Sequence, residues 1–240
     1  MGSPLKRHIA ILGGSAGIGL ATARLAAERG AQVTLGGRDQ ERLSAATAAV
    51  EGASAIVVDA EDPVSLAGFF RATGPVDDLV ITITRRGHRR SRDAARLGEA
   101  DLVTSFGGKA IATLRAVGEA LASLSEHGSI TLTGGITAQS ASPGTAEPAA
   151  VNGAVEAAVG PLARELAPRR VNAVSPGVIV TEWWDSLGDH RDETFQSFAE
   201  RTPLGRNGRP EDVAAAILAL IENQFITGVV LPVDGGLRLA

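Results

Sequence analysis

Residues Ile9 to Leu12 form an apolar run that breaks at Gly13, Gly14, Gly17 and Gly19 and resumes as Leu20-Ala-Thr-Ala-Arg-Leu-Ala-Ala-Glu-Arg-Gly30. Ile18, Leu25 and Ala26 fall at helical spacing, and Gly30 stops the pattern. The order is therefore a buried strand, a glycine turn and a helix whose first turn faces open space. Free N–H groups and the helix dipole make such a terminus an anion site, and glycines let a pyrophosphate approach the backbone. Glycine-rich turns also occur for packing alone. The strand before and the helix after are the context that points to a dinucleotide.

Strand and helix patterns alternate along the rest of the chain. Apolar runs at Gln32–Leu35, Ala55–Asp59, Asp78–Thr84, Ser129–Thr133, Arg170–Val174 and Gly228–Val233 predict six further strands. The helical segments are Gln40–Val50, one from near Pro63, Leu102–Ser123, Pro148–Ala167 and Pro210–Ile221. Phe106, Ala110, Leu114, Val117 and Leu121 read as the inward stripe of the long helix, and Pro161 should bend the one that contains it. With no linker or repeat, residues 1–240 read as one Rossmann-like α/β domain, a doubly wound, mostly parallel sheet flanked by helices. Residues 1–7 read as a flexible lead-in. Glu182 to Arg201 carries both tryptophans and reads as a mobile cover within a substrate-cover segment, 182–208.

Composition narrows the function. A net charge of -4 and 44% apolar residues suggest neither nucleic acid nor disorder as a theme. No apolar run approaches bilayer length, no signal-peptide core is visible, and the chain has no cysteine, so a cytoplasmic protein without disulfides is expected. Four scattered histidines offer no metal-ligand spacing. There is also no tyrosine.

The end of the second strand meets the adenosine ribose in dinucleotide folds. Gly37 leaves the acidic position there vacant and Arg38 follows, which favours NADP(H) over NAD(H). Asp39 reads as a cap of the next helix, set against pairing with Arg38, and Arg38 itself is set against a solvated surface charge. Asp59 either meets the adenine edge or caps the helix near Pro63. The run Arg85-Arg-Gly-His-Arg-Arg90 follows the fourth strand, at the sheet edge where ligands bind. It reads equally as a solvated loop and as a contact for phosphates or an acidic substrate.

The chain resembles the short-chain dehydrogenase/reductase family over essentially its whole length. The resemblance rests on Gly13-x-x-x-Gly17-x-Gly19, on Asp59, and on Arg170-Val-Asn-Ala-Val-Ser-Pro-Gly177 followed by Thr181. Gly205–Val213, Thr227-Gly228 and Val233–Gly236 complete it. It implies that Gly13, Ser15, Gly17, Ile18, Gly19, Arg38, Asp59, Pro176, Gly177, Ile179 and Thr181 bind the cofactor. It also implies a small-molecule substrate and a homodimer or homotetramer. The family's reductases use Ser, Tyr and Lys, usually with Asn. Register places Gly135, Pro148 and Asn152 at the first three positions and Ser105 at the Asn position, while Ile81-Thr-Ile-Thr84 replaces the usual Asn-Asn-Ala-Gly.

Without a Tyr–Lys pair, the proton that hydride transfer requires needs another source. Glu147 is a candidate acid, set against a plain first-turn helix carboxylate. Thr137, Ser140, Ser142 and Thr145 offer hydroxyls, and His88 and His190 are set against ordinary surface histidines. Lys109 reads as a salt-bridging or surface lysine. Asn152 offers a hydrogen bond to a ribose hydroxyl, and Trp183 and Trp184 a stacking wall for substrate or packing within the cover. Three functions stand: an NADP(H)-dependent oxidoreductase with a non-standard active site, a non-redox cyclase or isomerase on the same scaffold, and a catalytically silent NADP(H)-binding subunit or sensor.

Overall fold

The structure is a computed structural model and describes residues 5–84 and 97–240. Seven parallel strands lie in the order β3-β2-β1-β4-β5-β6-β7. They are β1 His8–Leu12, β2 Gln32–Gly37, β3 Ser54–Val57, β4 Val76–Ile81, β5 Leu124–Thr133, β6 Arg170–Pro176 and β7 Val230–Val233. The strands β1, β4 and β6 are buried at successive positions because helices cover both sheet faces. Along β1, Ala10 and Leu12 enter one core with Leu79, Ile81, Ile130 and Leu132. Ile9 and Ile11 enter the other with Leu35, Val80 and Val174.

Helices α1 (Gly17–Glu28) and α9 (Pro210–Glu222) cover the second face, with Ala23, Ala26, Val213 and Ile217 buried against it. The start of α9 is fixed by Asp212, which accepts the Arg209 N–H at 2.7 Å and pairs with both Arg206 Nη atoms. Helix α2 (Gln40–Ala48) begins at Asp39, whose carboxylate accepts the Arg42 N–H. For α3 (Pro63–Thr73) the cap is Asp62, which accepts from Val64 and Ser65, and not Asp59. Proline at the first helical position puts the cap one residue before it.

The long helix departs most from its sequence pattern. It runs as α4 (Glu99–Ser105), a π-helical segment Phe106–Ile111, and α5 (Ala112–Ala120). The π turn carries one extra residue and rotates α5 relative to α4. Ala112, Thr113, Ala116, Val117 and Ala120 are buried, while Leu114, expected inside, is 43% exposed. The next helix breaks as Pro161 requires, into α6 (Ala146–Ala157) and α7 (Val159–Glu165). Residues 182–201 form a 3-10 segment, Glu182–His190, and α8 (Arg191–Arg201).

Residues 5–7, expected as part of a flexible lead-in, make contacts with the fold. The Leu5 N–H donates to the Arg29 carbonyl, and Arg7 pairs with the fully buried Asp78. Ser129 Oγ donates to the same carboxylate at 2.6 Å. An unpaired charge in that position is costly, so Arg7 is drawn onto the fold.

Candidate active site

Strand β1 lies between β2 and β4, so the chain crosses over in opposite directions on its two sides and opens a crevice at the strands' carboxyl ends. The glycine turn fills that crevice. Gly13 (φ +86°) and Gly17 (φ +51°) adopt left-handed backbone, which a side chain disfavours. A Cβ on Gly19 would stand 2.3 Å from the Gly13 carbonyl oxygen and 2.7 Å from Thr82 Oγ1. Thr82 donates its hydroxyl to the Leu12 and Gly13 carbonyls at 3.1 and 3.3 Å, closing the turn from β4. The Ile81–Thr84 replacement thus supplies a residue that locks the turn.

Across the crevice, β6 ends at Pro176, and Gly177 packs so closely on Asp234 that a Cβ would lie 2.8 Å from its Cα. The chain then turns through Ile179 and returns Thr181 to the glycine turn. A Cβ on Gly17 would meet the Thr181 methyl at 3.2 Å. Ile18 opens α1 and packs against the core. At the other end, a Cβ on Gly37 would meet Ser15 Oγ at 3.2 Å, so Ser15 borders the end of β2. Arg38 comes next in the chain, 49% exposed and 3.8 Å from Glu61. Asp59 accepts the Glu61 N–H. The cradle of bare backbone and the helix start fit a dinucleotide.

Where β5 meets the π segment and α6, the side chains interlock. Lys109 Nζ donates to Gly134 O at 2.8 Å and to Asn152 Oδ1 at 2.6 Å. Asn152 Nδ2 donates to Thr137 Oγ1 at 2.8 Å. One turn away, Ser105 Oγ donates to Glu147, which is buried in the first turn of α6. Glu156 accepts the Gly135 N–H, Ser175 Oγ and Gln139 Nε2. A Cβ on Gly134 would fall 2.4 Å from Glu156 Oε1, and one on Gly135 2.6 Å from Asn152 Nδ2.

Lys109 is not the surface residue its sequence position suggests. Protein packs around its ammonium, and that burial pulls its pKa down from 10.5 to about 8, against the opposing pull of Glu156. Sequence reasoning also misses Glu156, which there serves only to set register. Neither is signalled locally in the sequence, since the Gly134 and Gly135 backbone groups they bond lie 25 and 21 residues away.

Other expectations are redistributed. Pro148 occupies the first turn of α6. Thr145 bonds the Ser142 carbonyl and stays local. His190 is exposed beside Glu193 and takes no part in the cluster. His88 and the Arg85–Arg90 run lie outside the described residues. Trp184 donates its indole N–H to Ile179 O and packs on Phe195 and Phe198, with Trp183 edge-on to it. Of the two roles considered for the tryptophans, Trp184 thus makes packing contacts inside the cover. Among the described residues there is no group of three potential metal ligands, and no helix is long and apolar enough to cross a membrane.

A family model described as enoyl-(acyl carrier protein) reductase matches residues 13–238. Carbonyl reductase family member 4 of Xenopus tropicalis is 33% identical over 235 residues, covering 96% of this chain and 97% of that protein. A solved small-chain dehydrogenase in complex with NADPH is 30% identical, covers 98% of this chain and 100% of its own, and superposes with a TM-score of 0.82. The MalC reductase/Diels-Alderase of Malbranchea aurantiaca is 26% identical, with a TM-score of 0.89 over 98% of this chain and 97% of that one. The parallel sheet and glycine turn define a nucleotide-binding α/β fold shared with oxidoreductases. The chain belongs to the short-chain dehydrogenase/reductase family.

Proposed function

We propose that this chain is an NADP(H)-dependent oxidoreductase acting on a small carbonyl or alcohol substrate by a route other than the family's usual Ser-Tyr-Lys mechanism. The observation that carries it is the pairing of a complete nucleotide cradle with a chain that contains no tyrosine. Gly13, Gly17 and Gly19 receive the pyrophosphate on bare backbone, Ser15 and Arg38 the ribose phosphate, and Asp59 the adenine side. Pro176, Gly177, Ile179 and Thr181 border the nicotinamide end. When bound, the cofactor supplies or accepts a hydride. Gly135, Pro148 and Asn152 occupy the Ser, Tyr and Lys positions, and Ser105 that of the Asn. Residues 182–208 cover the substrate, with Trp183 facing it. A homodimer or homotetramer is supported by Val103, Ile111 and Leu114, apolar and 65, 49 and 43% exposed along the long helix.

Calorimetry with NADPH and NADH, no substrate present, tests the reading. NADPH should bind more tightly, and Arg38→Ala should weaken NADPH by about 10-fold while leaving NADH within roughly threefold. Failure to bind either nucleotide removes the reading. A second reading, non-redox cyclisation, is favoured by the likeness to a protein described as both reductase and Diels-Alderase. It predicts that substrate turns over without change in NADPH absorbance.

A further inference from the structure

We propose that Lys109 is the proton donor that replaces the absent tyrosine, held for that task by Asn152 and the Gly134 carbonyl. The proposal rests on the oxidoreductase reading above. Three observations carry it. Of the 23 basic residues only Lys6 and Lys109 are lysines, so the one lysine beyond the N-terminal segment stands at the carboxyl edge of the sheet. Arginine cannot give up its proton near neutral pH, whereas lysine can. The π segment Phe106–Ile111 turns Lys109 toward β5 and α6, and π turns are concentrated at functional sites. Finally, an ammonium has three N–H bonds. Among the described residues two are donated, to Gly134 O and Asn152 Oδ1, and in the proposal the third meets the substrate oxygen.

The acid is matched to its task. An ammonium that titrates near neutrality is a better proton donor than one at the ordinary lysine value. Among the described residues, the charged groups on elements packed against the π segment are Glu99 and Asp101 of α4, Arg115 and Glu119 of α5, Glu147 and Glu156 of α6, and Glu61 of the loop after β3, which lies 3.9 Å from a Cβ placed on Gly107; of these, Glu156 acts on the Lys109 charge. The Arg85–Arg90 run lies outside the described residues. In the reducing direction a bound nicotinamide would supply the hydride to the carbonyl carbon, and the C=O π pair would move to oxygen. That oxygen takes the Lys109 proton, leaving a neutral amine that solvent reprotonates. Asn152 Oδ1 fixes the ammonium, and its amide is itself fixed by Thr137.

The test uses full-length protein grown with 13Cε,15Nζ-lysine, which gives two lysine signals, one of them lost in Lys109→Met. Lys109 should titrate at about 8, without any activity measurement. With NADPH and a panel of aromatic aldehydes and α-diketones, Lys109→Met and Lys109→Arg should each lose about 100-fold in turnover. NADPH affinity should stay within roughly threefold. The alkaline limb of the wild-type pH–rate profile should coincide with the lysine titration and vanish in Lys109→Arg, which keeps the charge if the methionine variant fails to fold. A Lys109 signal at the ordinary lysine value, or Lys109→Arg at wild-type turnover, overturns the proposal while NADPH binding stands. Absence of NADPH binding overturns the oxidoreductase reading and the proposal together.

Discussion

At the scale of the residue, the glycine turn and Lys109 make opposite demands. Gly19 tolerates nothing larger, since its Cβ would stand against the Gly13 carbonyl and Thr82. Gly19→Ala should cost about 1–3 kcal/mol in urea unfolding and abolish nucleotide binding. Lys109 instead tolerates an unfavourable site. Its pKa of about 8 lies below the 10.5 of an exposed lysine, so between those values the unfolded chain holds more protons than the folded one. The strain of enclosing the ammonium is felt below about pH 8 and is relieved as pH rises toward 10.5. Wild type should therefore gain stability relative to Lys109→Met between about pH 7.5 and about pH 10, measured by urea titration at both. Gly13 and Gly17 are readable in sequence because turn chemistry is local. Lys109 is not, because its partners lie 25 and 43 residues away and no local pattern records them.

Among the elements, every strand is legible and so is the break at Pro161, because buried parallel strands and prolines act within a few residues. Strand ends shift slightly: β4 stops at Ile81, leaving Thr82 free to lock the turn. The long helix defeats its own periodicity. One extra residue in a π turn moves Leu114 outward, and no apolar pattern at 3.6-residue spacing signals such an insertion. Deleting Gly107 should restore a regular helix and rotate one half by roughly 100° against the other. The Ser105–Glu147 and Lys109–Asn152 contacts cannot then both survive. The expected result is unchanged far-ultraviolet dichroism with the Lys109 resonance back near the ordinary lysine titration. A Lys109 pKa still near 8 after the deletion would show that the π segment does not position it.

For the whole molecule, the outward apolar residues of the long helix ask for cover. Val103→Glu with Leu114→Glu should lower the mass seen by light scattering to that of a monomer, while the far-ultraviolet spectrum is retained. An unchanged mass would show that these residues make no subunit contact. The Thr82 hydroxyl has a longer reach. It closes the glycine turn on a carbonyl 70 residues earlier in the chain. The turn is thus finished by a non-local contact, which forms only after β4 has docked beside β1. During synthesis, a nascent chain carrying the whole Gly13–Gly19 motif is not yet a nucleotide-binding chain. A nucleotide held by this turn would select only molecules whose central strands are in register, and its binding free energy would be added to the finished fold and to no earlier state.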